Sequence, residues 1–163
     1  MKKTIFLALS SLLLITLVII YWYSQKPRAV HNHASFLIFK NNKALNFSSK
    51  KFMEEDVCSL PGQKDPHDLE KIDLHDRIGD IVHVHRSDAQ WLHLLNRIGL
   101  RPNSAMIFYL NGKRTDNLPT QLIRQDDRAL VLIGKNTNIT KKIQNVPEVT
   151  YIREIGSKSE TCK

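Results

Sequence analysis

From Ile5 to Tyr23 the chain runs through nineteen positions without a charged side chain, most of them apolar (IFLALSSLLLITLVIIYWY). As a helix this run is long enough to cross a hydrocarbon layer about 30 Å thick. It has no polar face, unlike a helix that packs one side on a soluble core. Its flanks predict an anchor that is not cleaved: Lys2 and Lys3 precede it, but it ends on Tyr21-Trp22-Tyr23 and not on the small residues of a cleavage site. Aromatic rings of this kind suit the far interface, and the two lysines hold the short N-terminus on the cytoplasmic side. Residues 1–23 are therefore expected to be a single N-terminal transmembrane helix, followed by a basic linker at 24–30 and then an extracytoplasmic domain.

Beyond the linker the hydrophobic period changes. Two apolar runs, at 34–40 and 43–48, flank Asn41-Asn42, a pair that tolerates positive φ and predicts a hairpin. Residues 49–73 are polar, with Pro61-Gly62 and Asp65-Pro66 marking loop and no clear period. DIVHVHR at 80–86 alternates as a strand does, with Val82 and Val84 on one face and Ile81, His83 and His85 on the other. Ser87 is the expected helix cap, with Gln90 at capping-box spacing; Trp91, Leu94, Leu95 and Ile98 form the apolar stripe and Gly99 ends it. Asn111-Gly112 is the strongest hairpin signal in the chain, and an acidic turn at 125–127 leads into a last apolar strand at 129–133. This order predicts an α+β domain over 31–134, a mixed sheet with one main helix. The tail, 135–163, has room for a short helix around 140–146, with little order expected beyond Pro147.

The segment from Trp91 onward resembles the second half of a β-grasp domain, as in ubiquitin-like sulfur carriers, where an NGK hairpin and a late DD-R turn precede the closing strand. It departs from those carriers at its end. They finish in Gly-Gly and this chain runs on to Cys162-Lys163, so their thiocarboxylate chemistry is not implied.

Charge changes this picture little. The net charge is +8, but Lys2, Lys3, Lys26 and Arg28 flank the anchor and others scatter over the tail, which suits an anionic lipid surface. No basic patch interleaved with aromatics is evident, so no nucleic-acid partner is expected; the expected contact is membrane lipid, and any protein partner is unidentified. Cys58 and Cys162 would lie in an oxidising compartment, where a bridge closing so long a loop stabilises by up to about 4–5 kcal/mol. Two cysteines so distant in sequence need not meet, and both states stay open. There is no C-x-x-C.

All seven histidines lie between His31 and His93. Two H-x-H pairs, His31/His33 and His83/His85, fall on separate expected strands. Within such a pair both rings leave the same face, with Cα atoms roughly 6.5–7 Å apart. Two rings so placed can converge on one zinc or copper ion at about 2.0–2.1 Å from each nitrogen. If the two strands are neighbours, four imidazoles face one spot, with His75 just before the Gly79 turn. Asp73 and Asp76 are positioned to add an oxygen or to orient a ring. The competing account is an exposed polar sheet face whose other side is packed. His67 stands alone in loop, and His93, opposite the helix stripe, is expected on the solvated surface. Enzyme motifs fail: His31-Asn32-His33 is a tripeptide and not a spread nuclease motif, the H-D pairs sit among strands, and H-E-x-x-H, G-x-S-x-G and a P-loop are absent.

The run His75, Asp76, Gly79, Asp80, Val82, His83, His85, together with His31/His33 before ASFLIF, Ile98-Gly99, the Asn111-Gly112-Lys113 hairpin and DDRALVLIG, resembles a family of small, membrane-anchored, largely uncharacterised bacterial proteins. Some carry the label protein-disulfide isomerase. The likeness covers about residues 31–134 and implies that the histidines belong to a recurring pattern. The chain departs from the family at Asp73, where a histidine is common, at Ser87-Asp88, where a glycine follows soon after H-x-H, and near the C-terminus, where a second cysteine is missing.

The leading expectation is an anchored domain on the cell membrane that binds copper or zinc through His31, His33, His75, His83 and His85, with Asp73 and Asp76, and turns nothing over. The alternatives are a thiol-disulfide or folding factor using Cys58 and Cys162, and a structural or interaction module without metal.

Overall fold

The computed structural model describes residues 13–22, 24, 26–53, 71–74 and 76–158. Cys58, His67, His75 and Cys162 lie outside them. The architecture is α+β: one mixed sheet with few helices. Its strands are β1 (Ala29–Lys40), β2 (Lys43–Ala44), β3 (Ile72–Asp73), β4 (Ile81–Arg86), β5 (Met106–Leu110), β6 (Lys113–Thr115) and β7 (Arg128–Ile133), with helices α1 (Trp91–Arg97), α2 (Ile139–Asn145) and α3 (Val149–Gly156). The order across the sheet is β3-β4-β1-β7-β5-β6, and β2 pairs with the end of β1. β1 and β7 run parallel at the centre, and the other pairings are antiparallel.

Local chemistry explains the turns. Asn41 and Asn42 (φ 50° and 68°) and Asn111 and Gly112 (φ 52° and 79°) carry the paired positive φ angles that a two-residue hairpin needs to match strand twist. The first hairpin is shorter than its apolar run suggests. β2 stops at Ala44, and Phe47 then leaves the sheet to pack against Phe36 and Phe52, with ring centroids 5.9 and 5.2 Å away. Gly79 turns into β4 where its backbone meets that of Phe47 and Ser48; a Cβ there would lie 2.4 Å from the Ser48 nitrogen.

α1 begins at Trp91, not at Ser87. Gln90 is its N-cap, and Ser87 instead receives the Arg28 amide on its hydroxyl, while its own amide donates to the Arg28 carbonyl, at 2.9 Å each. Trp91, Leu94, Leu95 and Ile98 are buried with Ala34, Phe36, Ile38, Val82, Val84, Phe108 and Val131, forming the main core on one sheet face. Each fully buried large side chain contributes about 1.5–3 kcal/mol over its exposed state.

The opposite face is covered as well. The expectation of little order beyond Pro147 is corrected: α3 occupies Val149–Gly156, and its buried Ile152 and Ile155 pack on Ile81 and Ile78. α2 lays Ile139 and Ile143 over Leu130, Leu132, Phe39 and Tyr109. The turn between these helices is tied down by the sheet: the Ser35 hydroxyl donates to the Pro147 carbonyl at 2.8 Å, and the Arg128 guanidinium donates to the carbonyls of Pro147 and Val146. Lys142 is buried and donates to the Asn42 side-chain oxygen (2.6 Å) and the Thr137 carbonyl (2.8 Å), fastening α2 to the first hairpin. The short helix expected around 140–146 is α2, at Ile139–Asn145; α3, beyond Pro147, was not expected.

Of the N-terminal apolar run, residues 13–22 are described, as helix with exposed side chains including Leu14, Ile20 and Trp22. Among the described residues no helix is long and apolar enough to cross a membrane.

Candidate metal centre

The histidine face is assembled by strand register. β4 lies between β1 and β3, with His83 directly opposite His33 on one side and Asp73 on the other. Alternation puts Ile81, His83 and His85 on the face that α3 covers, away from Val82 and Val84 in the main core. Between Ala29 and Asn32 the β1–β4 register shifts, so that β1 spends one residue more than β4 over the same span. A bulge of this kind re-aims side chains at a strand end, and here it falls beside His31.

The outcome is a group of three imidazoles. One ring nitrogen from each of His31, His33 and His83 lies within 4.8 Å of the other two. His33 Nε2 and His83 Nδ1 are 3.0 Å apart, so one donates a proton to the other. The His31 ring stands edge-on to His33 at a centroid distance of 4.7 Å and to His83 at 5.8 Å. His33 and His83 are 4 % and 3 % exposed, whereas His31 is exposed to solvent. An exposed polar sheet face is therefore not what His33 and His83 occupy: α3 lies over it.

Three nitrogens bound to one zinc or copper at about 2.0–2.1 Å stand roughly 3.3–3.6 Å from one another in tetrahedral or trigonal geometry. The His33–His83 separation of 3.0 Å is just under that range and all three nitrogens lie within 4.8 Å, so the group could hold one ion once the side chains adjust. The His33–His83 hydrogen bond marks the place, because the lone pair that accepts the proton can accept a metal instead. Ligation requires neutral imidazoles, so binding displaces that shared proton.

His85 belongs to a neighbouring pair. Its Nε2 lies 3.4 Å from Asp73 Oδ1, and Asp73 is buried on the short edge strand β3. This carboxylate can orient His85, and through it the rim of the site, as carboxylates commonly do behind metal-bound imidazoles. Asp76 sits elsewhere, exposed in a left-handed turn (φ 54°), and is not in the three-histidine group. His75, Cys58 and Cys162 lie outside the described residues.

His93 is not a solvated surface residue. Its Nδ1 accepts the Gln90 amide at 2.8 Å and so closes the N-terminus of α1. The capping-box spacing in the sequence points to this position only if Gln90 is taken as the cap instead of as its partner.

The backbone around His33 is also pinned. Its amide donates to Gln125 Oε1 and its carbonyl accepts from the Asp126 amide, both at 2.9 Å. Arg153 of α3 pairs with Asp126 at 2.7 Å, and this hydrogen bond holds the Asp126 carboxyl below its usual value. The acidic turn noted in the sequence thus braces β1, the strand that carries His31 and His33. Asp127 beside it accepts from the Asn111 side chain and the Arg124 amide at 2.9 Å, joining the NGK hairpin to the same turn.

No family model, curated protein or solved structure matches the chain.

Proposed function

We propose that this protein is a membrane-anchored, β-grasp-like domain that binds zinc or copper through His31, His33 and His83, and that it handles the metal or uses it to support an interaction without turning over a substrate. The observation that carries the reading is the convergence of three imidazole nitrogens within 4.8 Å, two of them buried beneath a helix. Buried imidazoles facing one another are costly unless they share a proton or a metal.

The central parallel β1–β7 pair, flanked by a hairpin on each side and crossed by one helix on the main core, supports the β-grasp likeness. The nineteen-residue apolar run at the N-terminus, whose described part presents its side chains outward, supports the anchor and an extracytoplasmic domain. Kinship with the anchored bacterial family rests on the run that contains the Gly79 turn and His83.

Isothermal titration of the full chain in detergent with Zn²⁺ and Cu²⁺ tests the reading. One equivalent is expected to bind the wild type and to be lost in His33→Ala/His83→Ala. Equal affinity in the two proteins would refute it.

A further inference from the structure

We infer that the C-terminal helix α3 sets the geometry of the metal site, with Gly156 as its positioning residue. The inference rests on the metal reading above and names the element that controls that site.

Gly156 is the last residue of α3, and its backbone lies against the His33 ring. A Cβ at this position would stand 2.6 Å from His33 Nδ1, 2.8 Å from Cε1 and 3.1 Å from Cγ. These atoms span one edge of the ring, so the approach is to the body of the imidazole and not to the tip of a flexible chain. Gly156 is not among the glycines with positive φ, so its backbone is one that alanine adopts freely. What glycine supplies here is space.

Neither partner retreats by the several tenths of an ångström that a Cβ demands without disturbing other contacts. The far edge of the His33 ring meets His83 at 3.0 Å, and the His33 backbone is held by Gln125 and Asp126. On the other side, α3 is seated by Ile152 and Ile155 against Ile81, one residue-pair along the strand from His83, and by Arg153 on Asp126. Asp126 thereby touches both the ligand strand and the helix. His33 is clamped between α3 and β4 with Nε2 aimed at His83, and exposed His31 is left as the ligand that swings to close the site. A clamp of this kind works in both directions: if docked α3 strengthens metal binding, bound metal must strengthen α3 docking by the same factor.

The test uses the full chain in detergent with Zn²⁺ as the probe, its affinity read by competition with a chromophoric chelator. Gly156→Ala is expected to bind Zn²⁺ about tenfold more weakly or worse, the scale on which loss of a ligand's supporting contact acts. Ser157→Ala, an exposed neighbour, is the matched control and keeps wild-type affinity. In the wild type, saturating Zn²⁺ is expected to slow hydrogen exchange of the amides at 152–157. Wild-type affinity in a folded Gly156→Ala overturns the inference while leaving the metal reading intact. Should that variant prove unfolded by circular dichroism, exchange in α3 unchanged by Zn²⁺ overturns it instead. Failure of the wild type to bind Zn²⁺ or Cu²⁺ refutes the metal reading itself, and this inference with it.

Discussion

The His33–His83 pair makes a quantitative prediction that separates a proton-sharing, metal-accepting pair from two histidines that are merely adjacent. Both rings are buried, with His33 Nε2 and His83 Nδ1 3.0 Å apart. In metal-free protein, His83→Leu removes one partner and leaves the facing His33 nitrogen in the protein interior without that bond, which costs about 1–3 kcal/mol. His33→Leu alone costs a similar amount. Replacing both partners with apolar groups removes the unmet demand, and such double replacements are close to neutral. The double variant should therefore be more stable than the sum of the singles by about 2–6 kcal/mol, a coupling that urea denaturation in the presence of a chelator resolves. Zinc adds a second readout. At a hundred times Kd a ligand of the native state contributes about 2.7 kcal/mol, which for a domain of this size is a rise in Tm of roughly 8–13 °C. The wild type should show that rise and the double variant none. Additive single effects would refute the shared hydrogen bond, and an equal zinc-dependent rise in the double variant would refute the site.

Other consequences are local. Gly79→Ala forces a Cβ to within 2.4 Å of the Ser48 nitrogen and 2.5 Å of the Phe47 carbonyl carbon, both backbone, so it should destabilise by about 3 kcal/mol or prevent folding, read by urea denaturation. Asp80 has its carboxyl raised above its usual value by burial, partly offset by a backbone hydrogen bond. Its ionisation therefore costs stability, and that cost sets in as pH rises from the unfolded value near 3.8 through the raised folded value. Asp80→Asn should melt higher than the wild type at pH 7 and equal to it at pH 3. Asn111→Ala removes a donor to buried Asp127 and an acceptor for the Arg128 amide, so it should cost about 1–3 kcal/mol in chemical denaturation while leaving zinc affinity intact.

Much of the sheet was legible because its signals are local. Asn41-Asn42 and Asn111-Gly112 announce positive φ by residue type, and the alternation of Ile81, His83 and His85 against Val82 and Val84 assigns faces by parity alone. Strand ends were less legible: 45–48 is as apolar as a strand, but Phe47 finds better burial against Phe36 and Phe52 than in a ladder. The capping of α1 went to His93 because its Nδ1 reaches the Gln90 amide, a use of histidine that composition does not flag.

The site divides in the same way. By itself the sequence determined that two H-x-H pairs lie on strands and that each pair shares a face, since a period of two is a property of the extended backbone. Which histidines meet was decided only by tertiary structure: the register that sets His33 opposite His83, the bulge near His31, and β3 placing Asp73 beside His83 and within reach of His85. Tertiary structure also decided that the pair is buried, because α3 is too short to announce itself and gains its place from Ile152, Ile155 and the space left by Gly156. The backbone dictates where a side chain points one residue at a time, and only the packing of segments distant in the chain brings the three imidazole nitrogens within 4.8 Å of one another.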